Sequence, residues 1–436
     1  MTLVAPISGW GGYPKQKAKV LTPLSHSELQ LQVQAQQSLI ARGMGRSYGD
    51  SANAPFVLQT TYFDHFITFD ANTGLLTAEA GITLRDILKV IVPQGWFLPV
   101  TPGTSYATLG GAIASDVHGK NHHVTGTFGQ HVISLNLLLG TGQIITTSPT
   151  EHADLFHATC GGMGLTGIIL NSTIQLIPIK SAFINQKIIK ADCIEAACEA
   201  LETNSNSTYS VAWIDCLAKG KNLGRSVIML GEHSDSGGLN LRDKDQITLP
   251  VYTPSFLLNS LTIKAFNNAF WAKANHNKTQ IIPLLPYFYP LDTIGGWNKF
   301  YGKSGFLQYQ FVLPEKNVVT NMSILLKQIA QSGLGSFLSV LKKFGPANKN
   351  LLSFPIEGYT LALDFKMSQS TIELLRRLDE LLKDMGGKVY LTKDAVMQEK
   401  FFKKTYPKWQ EFEIVRQKYG AIGKFASTQS VRLGLA

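Results

Sequence analysis

Ten residues constrain this chain more than any others: Ala41-Arg-Gly-Met-Gly-Arg-Ser-Tyr-Gly-Asp50. Three glycines (Gly43, Gly45, Gly49) stand among Arg42, Arg46 and Ser47, directly after the apolar stub Leu39-Ile40. Glycine permits positive φ and lets the main chain approach a ligand closely. Successive N–H groups in such a turn form an anion-binding nest, and arginine adds charge-assisted contacts to oxyanions. The run is not a Rossmann fingerprint, because residues 51–70 read as loop and strand rather than as the helix of a βαβ unit. Taken alone it leaves two readings, a phosphate cradle or a glycine-rich connection.

A second stretch favours the cradle. Pro99-Val-Thr-Pro-Gly-Thr-Ser-Tyr-Ala-Thr-Leu-Gly-Gly-Ala-Ile-Ala-Ser-Asp-Val-His-Gly-Lys-Asn-His-His123 reads as a turn, a short helix of small residues and a polar loop. Thr108 can cap that helix, and Gly110, Gly111, Ala112 and Ala114 leave its surface almost bare. A bare helix start lets a flat or phosphorylated ligand lie against backbone N–H groups at the positive end of the dipole. His118, His122 and His123 invite a metal reading. No carboxylate or cysteine nearby completes a ligand set, so no metal is expected.

At 436 residues two domains are expected rather than one. Four cysteines (160, 193, 198 and 216) show no CxxC spacing and read as reduced, buried thiols. A net charge of +10 admits nucleic acid, an anionic substrate or an anionic membrane surface as partner. No nucleic-acid motif appears, so nucleic acid is not expected. Lys400, Lys403, Lys404, Lys408, Lys418 and Lys424 crowd toward the end. They read as a solvated face, or as a basic patch worth roughly 1 kcal/mol per residue at an anionic lipid surface. No run approaches the ~18 to 20 apolar residues of a spanning helix, and the first ten residues lack a basic n-region. The expectation is a cytoplasmic chain whose membrane contact, if any, is peripheral, with the cell-envelope side left open.

Ser25-His-Ser-Glu28 is a capping box and predicts a helix after it. Strands are expected at 56–69, 131–146, 208–215, 225–231 and 359–365, with an alternating strand at 306–313. Helices are expected at 83–94, 151–158, 193–203, 315–331 and 372–385, the last ended by Gly386-Gly387. The Asn- and Lys-rich stretch from 235 to 285 is aperiodic and reads as a lid or a structureless segment.

Several motifs run in order along nearly the whole chain. They are Gly43-Met-Gly-Arg-Ser-Tyr-Gly, His118-Gly-Lys-Asn-His-His, Cys160-Gly-Gly-Met-Gly-Leu-Thr-Gly-Ile-Ile169, Trp213-Ile-Asp, Pro290-Leu-Asp, Gly305-Phe-Leu-Gln-Tyr-Gln-Phe311, Leu352-Ser-Phe-Pro and Tyr390-Leu-Thr-Lys-Asp394. Together they resemble the vanillyl-alcohol-oxidase, or PCMH-type, FAD-binding family. Within it the similarity is to the oxidase subunits of decaprenylphosphoryl-β-D-ribose 2′-epimerases. The resemblance implies an α+β, two-domain PCMH-type fold with an inserted antiparallel-sheet substrate domain. Residues 1–180 plus 388–436 would bind FAD, and 181–387 would bind substrate.

The same resemblance implies roles for particular residues. Arg42, Gly43, Met44, Gly45, Arg46, Ser47, Tyr48, Gly49, Asp50 and Ser51 would wrap the pyrophosphate. Gly103, Thr108, Leu109, Gly110 and Gly111 would continue the cradle. Ser115, Asp116, Val117 and His118 would reach the polar edge of the flavin, with Ile169 and Tyr390 closing around it. Lys393, Tyr48 and His118 form the implied catalytic set, and Trp213, Gln308, Gln310, Lys342, Ala362 and Lys393 the implied substrate set. Relatives with a covalent flavin carry a histidine in the glycine loop. Here Arg46 stands in that loop, so FAD is expected to be non-covalent.

Two departures fall on the substrate side. Actinobacterial members read Tyr-His-Pro-Leu-Asp where this chain has Phe288-Tyr289-Pro-Leu-Asp, and they carry a cysteine where it has Ala362. The implied activity is oxidation of a sugar secondary alcohol, C2′ of a polyprenylphosphoryl pentose. A separate NAD(P)H-dependent short-chain reductase would complete an epimerisation. An aldonolactone- or alditol-type oxidase using oxygen, and a flavoprotein partner without turnover, are the alternatives.

Overall fold

The computed structural model describes residues 2–241, 247–254 and 258–435. Two sheets precede residue 176. The first has the order Thr2–Ile7, Gln16–Leu21, Phe56–Gln59, Ile40–Arg42, with its last two pairings parallel. The second is antiparallel, in the order Phe66–Asp70, Leu75–Glu79, Ile168–Gln175, Val132–Leu138, Ile144–Thr147. A third, eight-stranded antiparallel sheet runs Thr279–Pro283, Phe183–Ala191, Ser226–His233, Tyr209–Ile214, Ser339–Phe344, Gly358–Lys366, Phe306–Pro314, Lys388–Val389. The fold is thus mixed α and β on several sheets.

Local signals set the helix starts. Ser25 accepts from the Glu28 N–H and caps His26–Ala35. Thr83 caps Leu84–Ile91 in the same way, and Ser368 caps Gln369–Asp384. Thr108 caps the short helix Leu109–Ala114 by accepting from the Gly111 N–H. That helix packs on the second sheet because Gly110 has no side chain: a Cβ there would lie 2.9 Å from the Ala80 Cβ.

Phe306–Pro314 differs from its alternating pattern, because eight of its nine residues are buried. One face looks into a cavity, while the other packs beneath the helix Val318–Ser332. A central strand covered on both sides has no solvent face to record in its sequence.

The 235–285 stretch is not structureless where it is described. Asn259 caps a fourteen-residue helix, Ser260–Lys273, by accepting from Leu261 and Thr262 N–H groups, and Thr279–Pro283 forms the edge of the large sheet. Residues 242–246 and 255–257 lie outside the described residues. The pattern was unreadable because only Ile263 and Asn267 of this helix are buried, too few for a 3.6-residue period to stand out.

After Lys388–Val389 the chain returns to its beginning. The Tyr48 N–H donates to the Thr392 carbonyl at 2.9 Å and the Leu39 N–H to that of Lys424 at 2.9 Å. Arg432 bridges Asp50 and Asp394 at 2.7 and 2.9 Å. Gly49 makes this closure possible, since a Cβ there would stand 1.9 Å from the Asp394 carbonyl oxygen. Three of the late lysines have local partners. Lys403 pairs with Glu399, Lys418 with Asp154, and Lys424 donates to the Gln36 carbonyl. All four cysteines are free thiols.

Candidate active site

A cavity of ≈ 1090 Å³ lies between the two small sheets and the large one. One end is backbone. Gly43, Gly45, Ser47, Ser51, Thr108 and Gly111 form its wall, and Gly103 faces open space in which a Cβ would meet nothing within 4 Å. Gly45 has φ 60°, which L side chains rarely adopt. Arg46 lies between two rings, its guanidinium 4.2 Å from Trp10 and 5.2 Å from Tyr106. Its Nε is buried and meets no hydrogen-bond partner among the described residues.

The middle of the cavity is built from strand side chains. Tyr390 stacks on Phe354 at 4.8 Å and donates its hydroxyl to the Ser115 carbonyl at 2.8 Å. His118 lies 5.3 Å from the Tyr390 ring and 4.7 Å from Phe344. Its tautomer follows from its partners. Thr360 Oγ1 donates to the Phe311 carbonyl at 2.8 Å, so it accepts from Gln310 Nε2 at 3.2 Å. The amide's other hydrogen meets His118 Nε2 at 2.9 Å. His118 Nε2 is therefore the acceptor, and Nδ1 carries the hydrogen toward Lys342 Nζ, 3.2 Å away. A neutral ring beside an uncharged amine satisfies this arrangement. Burial, with Lys342 and His122 adding positive charge, holds the His118 pKa well below its ordinary value.

Three lysines line this one space. Burial brings Lys120 and Lys342 each down to about 7, and Lys393 also to about 7 although the Asp364 charge opposes the shift. Lys393 Nζ sits 3.8 Å above the Tyr48 ring. Behind them Asp364 is fully buried. It accepts from Gln308 Nε2 at 2.5 Å and from the Tyr301 hydroxyl at 3.4 Å, and burial raises its pKa to about 7. Burial, then the Asp364 charge, pushes the Tyr48 phenol well above its ordinary value, so it stays protonated near neutral pH. Such a site accepts an anion readily: a bound negative charge stabilises every ammonium that burial penalises.

Most of the expected residues meet here. Besides those named above, the wall includes Met44, Gly110, Val117, Ile169, Trp213 and Ala362. Five expected cofactor residues do not line it. Arg42 turns away and donates to the carbonyls of Ser8 and Ala52 and to Asn53. Gly49 and Asp50 serve the contact with the C-terminal segment. Leu109 is core, and Asp116 is a buried hub that accepts from the Gly129 N–H, Asn348, Asn350 and Ser353. Of the other two loop histidines, His122 Nδ1 accepts from the Gly345 N–H and His123 Nε2 lies 2.9 Å from the Ser207 carbonyl.

Sequence reasoning missed Trp10, Tyr106, Lys120, Asp292 and Asp364. Lys120 and Asp292 stood inside quoted motifs, His118-Gly-Lys-Asn and Pro290-Leu-Asp, and both line the cavity. Asp292 accepts from the Ser105 N–H and hydroxyl at 2.7 Å each. The hydroxyl of Tyr289, a departure from the family pattern, bonds Thr101 and stays out of the wall, whereas Phe288 and Ala362 are in it.

Residues 18–148 match the family model described as an FAD binding domain. The whole chain is 36% identical to the decaprenylphosphoryl-β-D-ribose oxidase of Mycolicibacterium smegmatis, covering 98% of that protein. A Streptomyces coelicolor protein of the mprA 5′ region is 28% identical over 81% of this chain and its own full length. The D-arabinono-1,4-lactone oxidase of Yarrowia lipolytica is 27% identical over 32% of this chain and 26% of its own length. The cavity suits FAD. It offers an open glycine wall and a capped helix start for a pyrophosphate, and Arg46 has a buried Nε–H without a partner among the described residues. These observations, with identity along its full length, place the chain in the family of FAD-dependent oxidoreductases represented by the decaprenylphosphoryl-β-D-ribose oxidases.

Proposed function

We propose that this chain oxidises the 2′-hydroxyl of a polyprenylphosphoryl-β-D-ribose to the 2′-keto sugar, the first half of an epimerisation to the arabinose form. When bound, FAD supplies a two-electron acceptor that takes the hydride from C2′. The observation that carries this reading is the cluster of Lys120, Lys342 and Lys393 in the same cavity as the glycine wall. Three buried amines whose pKa values lie at about 7, and which a bound anion would charge, favour a phosphorylated sugar over a free lactone or alditol. Gln308 and Gln310 share one strand face and orient sugar hydroxyls. The hydroxyl proton leaves to solvent while Lys393 stabilises the negative charge left on the oxygen, and the Tyr48 ring lies 3.8 Å beneath the Lys393 Nζ. We place FAD on residues 1–180 and 388–436 and the sugar on 181–387. The C-terminal piece begins with the Lys388–Val389 strand on the edge of the large sheet.

A separate NAD(P)H-dependent short-chain reductase returns the hydride in this scheme. Among the described residues no helix is long and apolar enough to cross a membrane. FAD is held without a covalent bond: Arg46 replaces the loop histidine, and both His118 nitrogens already face Gln310 and Lys342. Acid precipitation should leave all yellow colour in the supernatant, and colour in the pellet would refute this. Anaerobic mixing with polyprenylphosphoryl ribose should bleach the oxidised flavin band. A flavin that stays oxidised there, yet is reduced by a free sugar lactone, would move the assignment to the lactone oxidases.

A further inference from the structure

The cavity does not end at its lysines. A second part is lined by uncharged side chains of the Ser260–Lys273 helix and the large sheet. Trp213, Met229, Ile282 and Phe337 form the sheet side. Ile263, Phe266 and Phe270 form the helix side. Two ring pairs in contact join the helix to the sheet side and close this part of the wall, with centroids 4.6 Å apart for Trp213 and Phe270 and 5.8 Å for Phe266 and Phe337.

Besides these ring contacts, the helix is pinned by polar contacts, and only Ile263 and Asn267 of it are buried. Asn267 Nδ2 donates to Asp215 Oδ1 at 2.7 Å, and Arg225 donates to Asp215 at 2.8 Å and to Asn268 Oδ1. Phe266 remains 46% and Phe270 36% exposed. Two large rings held over an uncharged space, and left part-wet, represent apolar area that a ligand can still bury. The same cavity therefore presents cations at one place and aromatic surface at another, the complement of an amphipathic anion.

We propose that the apolar part of the cavity, walled by Ile263, Phe266 and Phe270 of the Ser260–Lys273 helix and by Trp213, Met229 and Ile282, is a binding subsite for the first isoprene units of a lipid phosphate whose head group lies on Lys120, Lys342 and Lys393. This rests on the proposed polyprenylphosphoryl substrate and adds where its tail runs. Leu261, 75% exposed on the same helix but outside the cavity wall, supplies an internal control.

The test is calorimetric titration of the FAD-loaded protein with inorganic phosphate and with dimethylallyl, geranyl and farnesyl phosphate. Affinity should rise at least about tenfold from dimethylallyl to farnesyl phosphate as successive isoprene units are buried. Phe270→Glu should flatten that gradient while inorganic phosphate binds as before, and Leu261→Glu should keep it. A gradient absent from the wild type, or equal in all three proteins, overturns the subsite. Photolabelling the wild type with a geranyl phosphate bearing a terminal diazirine gives a readout independent of any variant. Label on peptides containing 211–213 or 260–273 supports the assignment, and label confined elsewhere refutes it. Flavin reduction is measured separately. A chain-length gradient without reduction by polyprenylphosphoryl ribose would retain the subsite and refute the proposed reaction. Reduction without a gradient would do the reverse.

Discussion

Lys393 shows how a single side chain acquires a role from its surroundings. Its Nζ is buried over Tyr48, and burial brings its pKa to about 7 against the opposing charge of Asp364. Near pH 7 a substantial fraction of Lys393 is therefore uncharged, and a bound phosphate raises its pKa and draws a proton in. Binding of an isoprenyl phosphate at pH 8 should take up protons, seen as a dependence of calorimetric heat on buffer ionisation enthalpy. Proton release would contradict the cluster's assignment. Lys393→Met keeps the apolar stem and removes the charge. Losing a charge-assisted contact costs roughly 1.5–3 kcal/mol, so affinity should fall by about one to two orders of magnitude. Flavin reduction at saturating substrate should fall as well, with FAD still bound. Normal reduction at saturation would demote Lys393 to a binding residue. Ala362 makes a complementary case. It lines the cavity, whereas none of the four cysteines does. Electrophiles that trap a pocket thiol should leave the wild type active and inactivate Ala362→Cys. Inactivation of the wild type would show that another thiol is reachable.

Among the described α-helices, Ser260–Lys273 buries the smallest share of its residues. With two buried residues and polar pins, its local opening should cost far less than global unfolding. Limited proteolysis should cut first within 258–285, and an isoprenyl phosphate should slow that cut. First cleavage elsewhere would show that the pins hold the helix more firmly than its burial suggests. The helix Leu109–Ala114 is the opposite case. It is short, but Thr108 caps it and Gly110 seats it against Ala80. Its capping residue and bare surface were legible in the sequence because both are local properties. The 260–273 helix was not legible, since its shape is decided by what lies beneath it.

At the scale of the whole molecule, the C-terminal segment closes the structure onto the glycine loop. Arg432 is a quarter exposed but neutralises two carboxylates, Asp50 and Asp394, that are almost fully buried. Arg432→Met leaves both without their cation, which should cost about 3 kcal/mol or somewhat less given the partial exposure. The sign of the pH dependence follows. Burial already holds the Asp50 carboxyl above its ordinary value although Arg432 opposes the shift; removing the arginine raises it further, so the variant loses more stability than the wild type as pH rises and the group ionises. Its deficit against the wild type should be larger at pH 8 than at pH 5, measured by denaturant midpoints. An equal deficit at both would mean that the arginine acts by packing its stem.

The capped helices after Ser25 and at 83–94, the strands at 208–215, 225–231 and 359–365, and the residue types of the cofactor cradle could be read from the chain alone, whereas Thr2–Ile7, Ile168–Gln175, Ser339–Phe344 and the helices from 399 onward could not. The legible ones depend on capping, glycine content and apolar spacing within a few residues. The order of family motifs likewise pointed to FAD and to an alcohol-oxidising site. Which of those residues face the ligand was a tertiary matter. Arg42, Gly49 and Asp50 sit in the same loop as Arg46, yet the returning C-terminal segment and the first strands claim them for structure. Asp364 and Trp10 are distant in sequence from Lys393 and Arg46, and only chain closure brings each beside its partner. The pKa values of the three lysines have the same origin: burial on every side is a property of the assembled sheets and is absent from any stretch of sequence.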